Sequence, residues 1–135
     1  MIVLDAGPLI ALFDGSDKHH ERAVAFIRDT PQPLITHVAV LAEACWVLDF
    51  SVDAQLDCLR WANQALRIDD GTARDLPRIC AILDKYRDLP ADFADAALVA
   101  LCERLNCFDV ASVDREFTIY RSASRRAFRN RFPLA

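Results

Sequence analysis

Ile2-Val3-Leu4-Asp5-Ala6-Gly7-Pro8-Leu9-Ile10-Ala11-Leu12-Phe13, close to the amino terminus, is the stretch that decides the fold. Residues 2–4 are apolar and include two β-branched side chains, which favour a strand. Residues 5–8 have the composition of a turn, and residues 9–13 are compatible with a helix. The stretch therefore predicts a strand, a turn and a helix, with Asp5 placed where the strand ends.

The same alternation continues along the chain. Further strands are predicted at residues 34–36 and 108–113, with a brief one around 67–70 and one or two short ones in the tail. The apolar spacing predicts helices over 18–29, 38–49, 56–66 and 76–86, the last ending near Asp88-Leu89-Pro90, and another that starts after Pro90 and carries Leu98 to Leu105. Such long connections are crossovers between parallel strands. We therefore predict one α/β domain over residues 1–135, with a short central parallel sheet flanked by helices (α/β/α).

Composition supports a single folded domain, because 53% of the 135 residues are hydrophobic and 27% are charged. These values exclude a disordered chain, and no apolar run approaches the roughly 20 residues of a membrane span. The amino terminus has no basic leader, so neither a signal peptide nor a membrane association is expected. Five cysteines without a Cys-x-x-Cys pair, mostly with apolar neighbours, favour buried free thiols and a cytoplasmic location.

Charge is unevenly distributed along the chain, whose 16 basic and 20 acidic residues give a net charge of −4. Five arginines and no acid follow Glu116, so the chain up to that residue carries −9 and the tail +5. The asymmetry suggests an acidic site with a basic rim, in which Arg121, Arg125 and Arg126 contact phosphate groups. A solvated arginine-rich end explains the tail equally well.

Glu43 is the most informative acid, because it lies within the apolar run 38–48 with no lysine or arginine in helical reach. We expect the helix over 38–49 to be largely buried. A buried carboxylate without a partner costs several kcal/mol, in order of magnitude, unless it is protonated or binds a cation. The alternative is that Glu43 lies on the one exposed stripe of its helix.

Four aspartates share the predicted edge of the sheet with Glu43, and each has a simpler explanation when taken singly. Asp5 could be a helix N-cap, and Asp92-Phe93-Ala94-Asp95 resembles a capping box. Asp114 could cap the turn 115–117 or pair with Arg115. Together, however, these carboxylates would repel each other in one cleft unless a divalent cation shared them.

An all-oxygen ligand set suits Mg²⁺ or Mn²⁺ and argues against zinc. His19 and His20 are expected at surface positions, and His37 is too isolated to be assigned a role. Several carboxylates and a hard cation are what phosphodiester hydrolysis requires, since metal ions activate water and neutralise phosphate oxygens. RNA is a substrate of this chemistry, and arginines would supply the remaining attraction.

Four short segments, in order, resemble the PIN domain, and their spacing is most similar to the VapC-type toxins of bacterial toxin–antitoxin pairs. They are Ile2–Asp5 with Pro8–Leu12, then Thr36 ahead of Val40–Glu43, then Phe93–Ala100, and finally Ala111–Phe117. The resemblance covers nearly the whole chain. It implies a Mg²⁺- or Mn²⁺-dependent endoribonuclease that is homodimeric, cleaves RNA and is held inactive by a cognate antitoxin.

The resemblance also implies roles for individual residues. The acidic quartet of the family matches Asp5, Glu43, Asp95 and Asp114, which would be the catalytic and metal-binding residues. Asp95 is preferred to Asp92 as the third acid because it directly precedes the alanine-rich helix, and Asp92 becomes an additional ligand or a helix cap. Two hydroxyl residues match supporting positions of the family, namely Thr36 and Ser112. Arg121, Arg125 and Arg126 would contact RNA or the antitoxin.

The sequence argues against two other functions and leaves two more open. A phospho-acceptor receiver module needs a lysine at a late strand end, but the last lysine, Lys85, lies in a predicted helix. A phosphatase of the Asp-x-Asp kind needs an aspartate at position 7, which is Gly7. A PIN-fold RNA-processing nuclease outside toxin–antitoxin systems, or a catalytically vestigial RNA- or protein-binding module, fits the same residues.

Overall fold

The computed structural model describes residues 1–89 and 91–134. Pro90, predicted to separate two helices, lies outside the described residues. The elements, in chain order, are β1 (Ile2–Leu4), α1 (Ala6–Phe13), α2 (His20–Asp29), β2 (Leu34–His37), α3 (Val38–Val47), α4 (Val52–Ala65), β3 (Leu66–Asp69), α5 (Leu76–Lys85), α6 (Phe93–Leu105), β4 (Asp109–Ala111), a 3₁₀ helix (Arg115–Thr118) and β5 (Arg129–Asn130).

The sheet has five strands in the order β3-β2-β1-β4-β5, and every neighbouring pair is parallel. Val3 in the central strand is in register with Ile35 on one side and Val110 on the other, and all three side chains are fully buried. Burial of the central strands fits a parallel sheet with helices on both faces. The predicted α/β class is confirmed.

Strand order also predicts where a site should lie. From β1 the chain moves outward to β2 and β3, and it then returns to place β4 on the other side of β1. Right-handed crossovers in opposite directions place their helices on opposite faces of the sheet. The reversal creates a topological switch point at the carboxyl ends of β1 and β4, where ligands of open α/β sheets bind. Asp5 follows β1, and residues 112–114 follow β4.

The helix with the most complete burial is α6, and the expectation that the helix over 38–49 is largely buried is wrong. Nine consecutive residues of α6, from Ala94 to Cys102, are buried. In α3 only Val40 and Ala44 are buried, while Val38, Trp46 and Val47 are exposed. The physical reason is that α6 packs against α5, α3 and β2, whereas one face of α3 has nothing covering it within the described residues.

Two of the element boundaries that differ from the predicted ones have a clear physical cause. The expected turn at 5–8 is largely the first turn of α1, where Pro8 is tolerated because its nitrogen would have no helical partner. β4 is shorter than residues 108–113, because the Ser112 N–H bonds the side chain of Asn130 instead of a strand. The brief strand expected around 67–70 is confirmed as β3, and β5 is the single named strand of the described tail.

The cysteines are unpaired, but only two of the five are fully buried, namely Cys58 and Cys102. Cys80 is exposed, contrary to expectation, because α5 is amphipathic and turns Ile79 and Ile82 inward instead. Among the described helices, none combines the length and the apolar character needed to cross a bilayer.

An ion-pair network fixes the carboxyl-terminal part of α6. The Arg104 guanidinium donates to two carboxylates, that of Asp69 at the end of β3 and that of Asp75 before α5. The N···O distances are 2.6 to 3.2 Å. Both aspartates are largely buried, with side chains 6% and 11% exposed. The network therefore ties α6 to the outer strand of the sheet at a site where neither carboxylate would be stable alone.

Candidate active site

Six carboxylates gather around the switch point and are called the acidic cluster below: Asp5, Glu43, Asp92, Asp95, Asp114 and Glu116. Asp5 and Asp114 follow the adjacent strands β1 and β4, and Asp95 lies in the first turn of α6. Glu43 reaches the site from the middle of α3. Asp5 and Asp95 are buried, with 5% and 8% of their surface exposed. Residues that are distant in the sequence thus share one small volume.

A chain of hydrogen bonds orders the side of the cluster that follows β4. Ser112 Oγ donates to Asp5 Oδ2 at 2.7 Å and accepts from the Asp114 N–H at 2.9 Å. Asp114 Oδ1 in turn accepts from the Glu116 N–H at 2.8 Å, which caps the 3₁₀ helix. Ser112 therefore fixes the relative positions of the acids that follow β1 and β4.

Asp92 and Asp95 form the capping box of α6. The Asp95 N–H donates to Asp92 Oδ1 at 2.8 Å, and the reciprocal bond from the Asp92 N–H to Asp95 Oδ2 is 3.5 Å. The capping bonds hold both side chains at the amino-terminal end of α6, within the acidic cluster. The Asp92 carboxylate also lies beside Glu43 and contributes, after burial, to the raised pKa of that group.

The carboxyl groups are perturbed in the way that crowded, buried acids should be. Burial raises the pKa of Asp95 from 3.8 to about 8, reinforced by the charges of Asp5, Asp92 and Asp114. Burial likewise raises the pKa of Glu43 from 4.5 to about 7 and that of Asp5 from 3.8 to about 6. The pKa values of these three carboxyl groups thus lie well above their ordinary range, as is typical of functional sites.

Glu116 is the member that sequence reasoning missed. Carboxylate oxygens of Asp95, Asp114 and Glu116 lie within 4.8 Å of one another, an arrangement that can hold a metal ion. The available signal was the Asp114-x-Glu116 spacing directly after a strand, which brings a second carboxylate to the same edge. In the sequence, Glu116 was noted only within the turn after Asp114 and as the boundary of the arginine-rich tail.

Among the described residues, no protein cation forms an ion pair with the cluster. Throughout residues 1–89 and 91–134, none of the ion pairs involves a member of it. Asp5 occupies the N-cap position of α1 but makes no side-chain capping bond there. The simpler roles considered for Asp114 and Asp92, as helix caps, are real. They coexist with membership of the cluster, because a cap uses one oxygen and leaves the other free.

The hydroxyl of Thr36 holds the strand end that carries Asp5. Its Oγ1 donates to the carbonyl of Leu4 at 2.7 Å, and the side chain is fully buried. Thr36 therefore positions the backbone beside Asp5 without belonging to the acidic cluster.

His19 and His20 are half-buried on the α2 side, where His20 Nδ1 lies 2.7 Å from the carbonyl of Ala11.

The tail arginines do not form a single group around the acids. Arg126 lies over the ring of Phe108, 4.3 Å from its centre, and donates to Asn106 Oδ1. Both partners precede β4, so Arg126 lies at the opposite edge of the sheet from the acidic cluster. Arg121 donates to the carbonyls of Thr118 and Tyr120. Arg125 is exposed, in the left-handed conformation with φ of 66°.

The ligand set fits a hard divalent cation. All members offer carboxylate oxygens, and two of them are buried without an ion-pair partner among the described residues. Mg²⁺ and Mn²⁺ prefer such oxygens, whereas zinc sites usually include histidine or thiolate ligands. The residues present therefore fit a magnesium or manganese ion.

Known proteins resemble the chain over most of its length. The family model described as the PIN domain matches residues 2–122. Ribonuclease VapC26 of Mycobacterium tuberculosis is 28% identical over 117 residues, which cover 84% of this chain and 87% of that protein. The sequence resemblance is therefore spread along the domain.

Two solved structures share the fold. VapC20 of Mycobacterium tuberculosis, described as a sarcin-ricin loop cleaving toxin, superimposes with a TM-score of 0.79 at 20% identity, covering 88% of this chain and 94% of that one. FitAcB of Neisseria gonorrhoeae superimposes with a TM-score of 0.57 at 17% identity, covering 84% of this chain and 88% of that one. At these identities the structures establish the architecture alone.

Proposed function

The chain belongs to the PIN domain family, and from this premise we propose that it is a Mg²⁺- or Mn²⁺-dependent endoribonuclease that hydrolyses RNA phosphodiester bonds. The observation that carries the proposal is the gathering of six carboxylates at the switch point of the sheet, none of which forms an ion pair within the part of the chain that the structure describes. We further propose that the protein is the toxin of a type II toxin–antitoxin pair, as the resemblance to ribonuclease VapC26 suggests.

Asp95, Asp114 and Glu116 would hold the metal, with Asp5 beside them as a further ligand. A bound divalent cation supplies a Lewis acid that activates water and offsets the negative charge of the phosphate in the transition state. Ser112 keeps Asp5 oriented through its hydroxyl. Glu43, whose pKa burial raises to about 7, lies beside Asp92 at the side of the cluster facing α3 and would add a further carboxylate to the site.

RNA binding would combine the metal site with the basic tail. A bare cluster of carboxylates repels phosphate, so substrate binding depends on the cation as well as on arginines. Arg121 and Arg125 are candidates for phosphate contact, or for contact with an acidic segment of an antitoxin. VapC20 is described as cleaving the sarcin-ricin loop, which suggests structured RNA as the substrate class to test first.

The exposed apolar face supports a homodimer. Val38 and Trp46 lie eight residues apart on one stripe of α3, and they are 62% and 77% exposed. Val52, Leu56 and Leu59 form a second exposed stripe on α4, which packs beside α3. Apolar surface of this extent on a small domain usually marks an interface. A second copy of the chain is the partner we propose, and Trp46→Glu should convert the dimer to a monomer in light-scattering measurements.

The five cysteines suit the reducing cytoplasm, where we place the protein.

The proposed toxin role has a separate test in cells. Expression of the chain should stop growth, and co-expression of its antitoxin, to be sought in the neighbouring upstream reading frame, should restore it. Growth that is unaffected by the chain would contradict the toxin role and leave the nuclease to be tested in vitro.

The central experiment is cleavage of ribosomal RNA by the purified chain with Mg²⁺, with Mn²⁺ and with EDTA. Cleavage should require the metal and should be lost in Asp95→Asn, whereas Asp57→Asn, an exposed position on α4, should cleave at the wild-type rate. Cleavage that survives EDTA, or an Asp95→Asn protein with full activity, would contradict the proposal.

A further inference from the structure

His37 uses both nitrogens of a fully buried ring at the junction of β2 and α3. Its Nδ1 accepts the backbone N–H of Val40 at 3.3 Å, which caps the amino terminus of α3. Its Nε2 lies 3.1 Å from the carbonyl oxygen of Ala94, in the first turn of α6. One side chain thus contacts the starts of two different helices.

The hydrogen bonds define the state of the ring. Because Nδ1 accepts a hydrogen bond, the proton of the neutral imidazole is on Nε2, which donates to the Ala94 carbonyl. Burial lowers the pKa of His37 below 6.5 and so favours this neutral form. Only in this tautomer can the ring make both bonds.

The choice of histidine at this position needs an explanation. Serine, threonine, asparagine and aspartate are the usual N-cap residues, and each would cap α3 with a shorter side chain. None of them reaches a carbonyl on a neighbouring helix from the same backbone position. The additional reach of the imidazole is used to contact Ala94, so capping alone does not account for the residue.

The two helices that His37 joins both carry acids of the cluster. α3 carries Glu43, and Asp95 directly follows Ala94 in α6. We propose that His37 is a positioning residue, which fixes the spacing between Glu43 and the Asp92–Asp95 cap and thereby sets the affinity of the site for its divalent cation. The inference rests on the proposed function, because it assigns His37 to the metal site of that nuclease.

A pair of substitutions separates the two bonds of the ring. His37→Asn retains a group at the position of Nδ1, so it can cap α3 but cannot reach α6. His37→Gln retains a donor at the position of Nε2, so it can reach Ala94 but is a poor cap. Ser51→Ala is the matched control, because Ser51 caps α4, a helix without a cluster residue.

The readout is the dissociation constant for Mn²⁺ by isothermal titration calorimetry, with the Tm of the metal-free protein measured in parallel. Residues that orient metal ligands typically change metal affinity by about 10- to 100-fold. His37→Asn should therefore weaken Mn²⁺ binding about 10-fold or more with little loss of Tm. His37→Gln should bind Mn²⁺ within about threefold of wild type despite a lower Tm, as should Ser51→Ala.

Results other than these would contradict either the proposed function or the role of His37. Wild type that fails to bind Mn²⁺ would overturn the proposed function together with the role of His37. If wild type binds Mn²⁺, two results would overturn the role of His37 alone. One is a His37→Asn protein that binds Mn²⁺ as tightly as wild type, and the other is a Mn²⁺ affinity that follows Tm across all the variants. NMR of the wild-type ring provides a check that needs no variant, because a proton on Nδ1 is incompatible with the proposed bridge.

Discussion

Replacing Asp5 by Asn should stabilise the metal-free protein at neutral and alkaline pH, although it should abolish catalysis. Asp5 is 5% exposed, and its Oδ2 accepts one hydrogen bond from Ser112 Oγ. The Asn side chain has almost the same shape, and its carbonyl oxygen can accept the same bond. The substitution therefore removes a buried negative charge while it preserves the packing and the partner.

The magnitude follows from the carboxyl pKa of Asp5, which burial, aided by the charges of Asp114 and Asp92, raises from 3.8 to about 6. The folded state binds this proton more tightly than the unfolded state. At roughly 1.4 kcal/mol for each pH unit, the ionised carboxylate lowers the free energy of unfolding by about 3 kcal/mol. The penalty is absent below the unfolded pKa, develops between about pH 4 and pH 6, and is complete above that window. For a domain of this size it corresponds to about 10 °C in Tm.

The assay is urea unfolding in EDTA at a series of pH values, with Asp57→Asn as the control. The stability difference between Asp5→Asn and wild type should be close to zero near about pH 4 and should rise to about 3 kcal/mol at alkaline pH. Saturating Mn²⁺ should then stabilise wild type more than the variant. An Asp5→Asn protein that is no more stable than wild type in EDTA at alkaline pH, or a gain that is the same at every pH, would refute the reasoning.

Three further substitutions test other parts of the structure. Arg104→Ala leaves two largely buried aspartates without their cation and should cost about 3 kcal/mol in urea unfolding, whereas a loss below 1 kcal/mol would show that the network contributes little. Gly7→Ala places a methyl group against the side chain of Val113 and should destabilise the fold by about 1–3 kcal/mol; a Tm equal to wild type would show that Val113 can move aside. Arg126→Ala should leave the salt dependence of RNA binding unchanged, because its guanidinium is held at the edge of the sheet away from the acids, and a flatter salt dependence would contradict that placement.

Much of the site could be predicted because two simple rules act together. Apolar runs with helical or strand periodicity locate Ile2–Leu4 and the strand before Asp114, and a parallel sheet brings the carboxyl ends of its strands to one edge. The positions of Asp5 and Asp114 follow from these rules. Glu43 was predicted from its position in an apolar run without a nearby cation, and the resemblance to a family was needed to prefer Asp95 to Asp92.

Other features were inaccessible because they depend on tertiary neighbours. The apolar pattern of α3 cannot distinguish burial in a core from burial in an interface, so the helix was expected to be buried although Trp46 is 77% exposed. The role of His37 depends on a carbonyl that lies 57 residues further along the chain. Arg126 belongs to a basic tail in the sequence, but Phe108 holds it away from the cluster in the fold.

The most direct test of the metal site is a crystal structure of the protein soaked with Mn²⁺, with data collected at the manganese absorption edge. We predict an anomalous peak among the carboxylates of Asp95, Asp114, Glu116 and Asp5, at distances of about 2.0–2.3 Å that suit oxygen ligands. A map without a peak at the carboxyl ends of β1 and β4, or carboxylates paired with arginine or lysine side chains instead, would contradict the proposed metal-dependent nuclease.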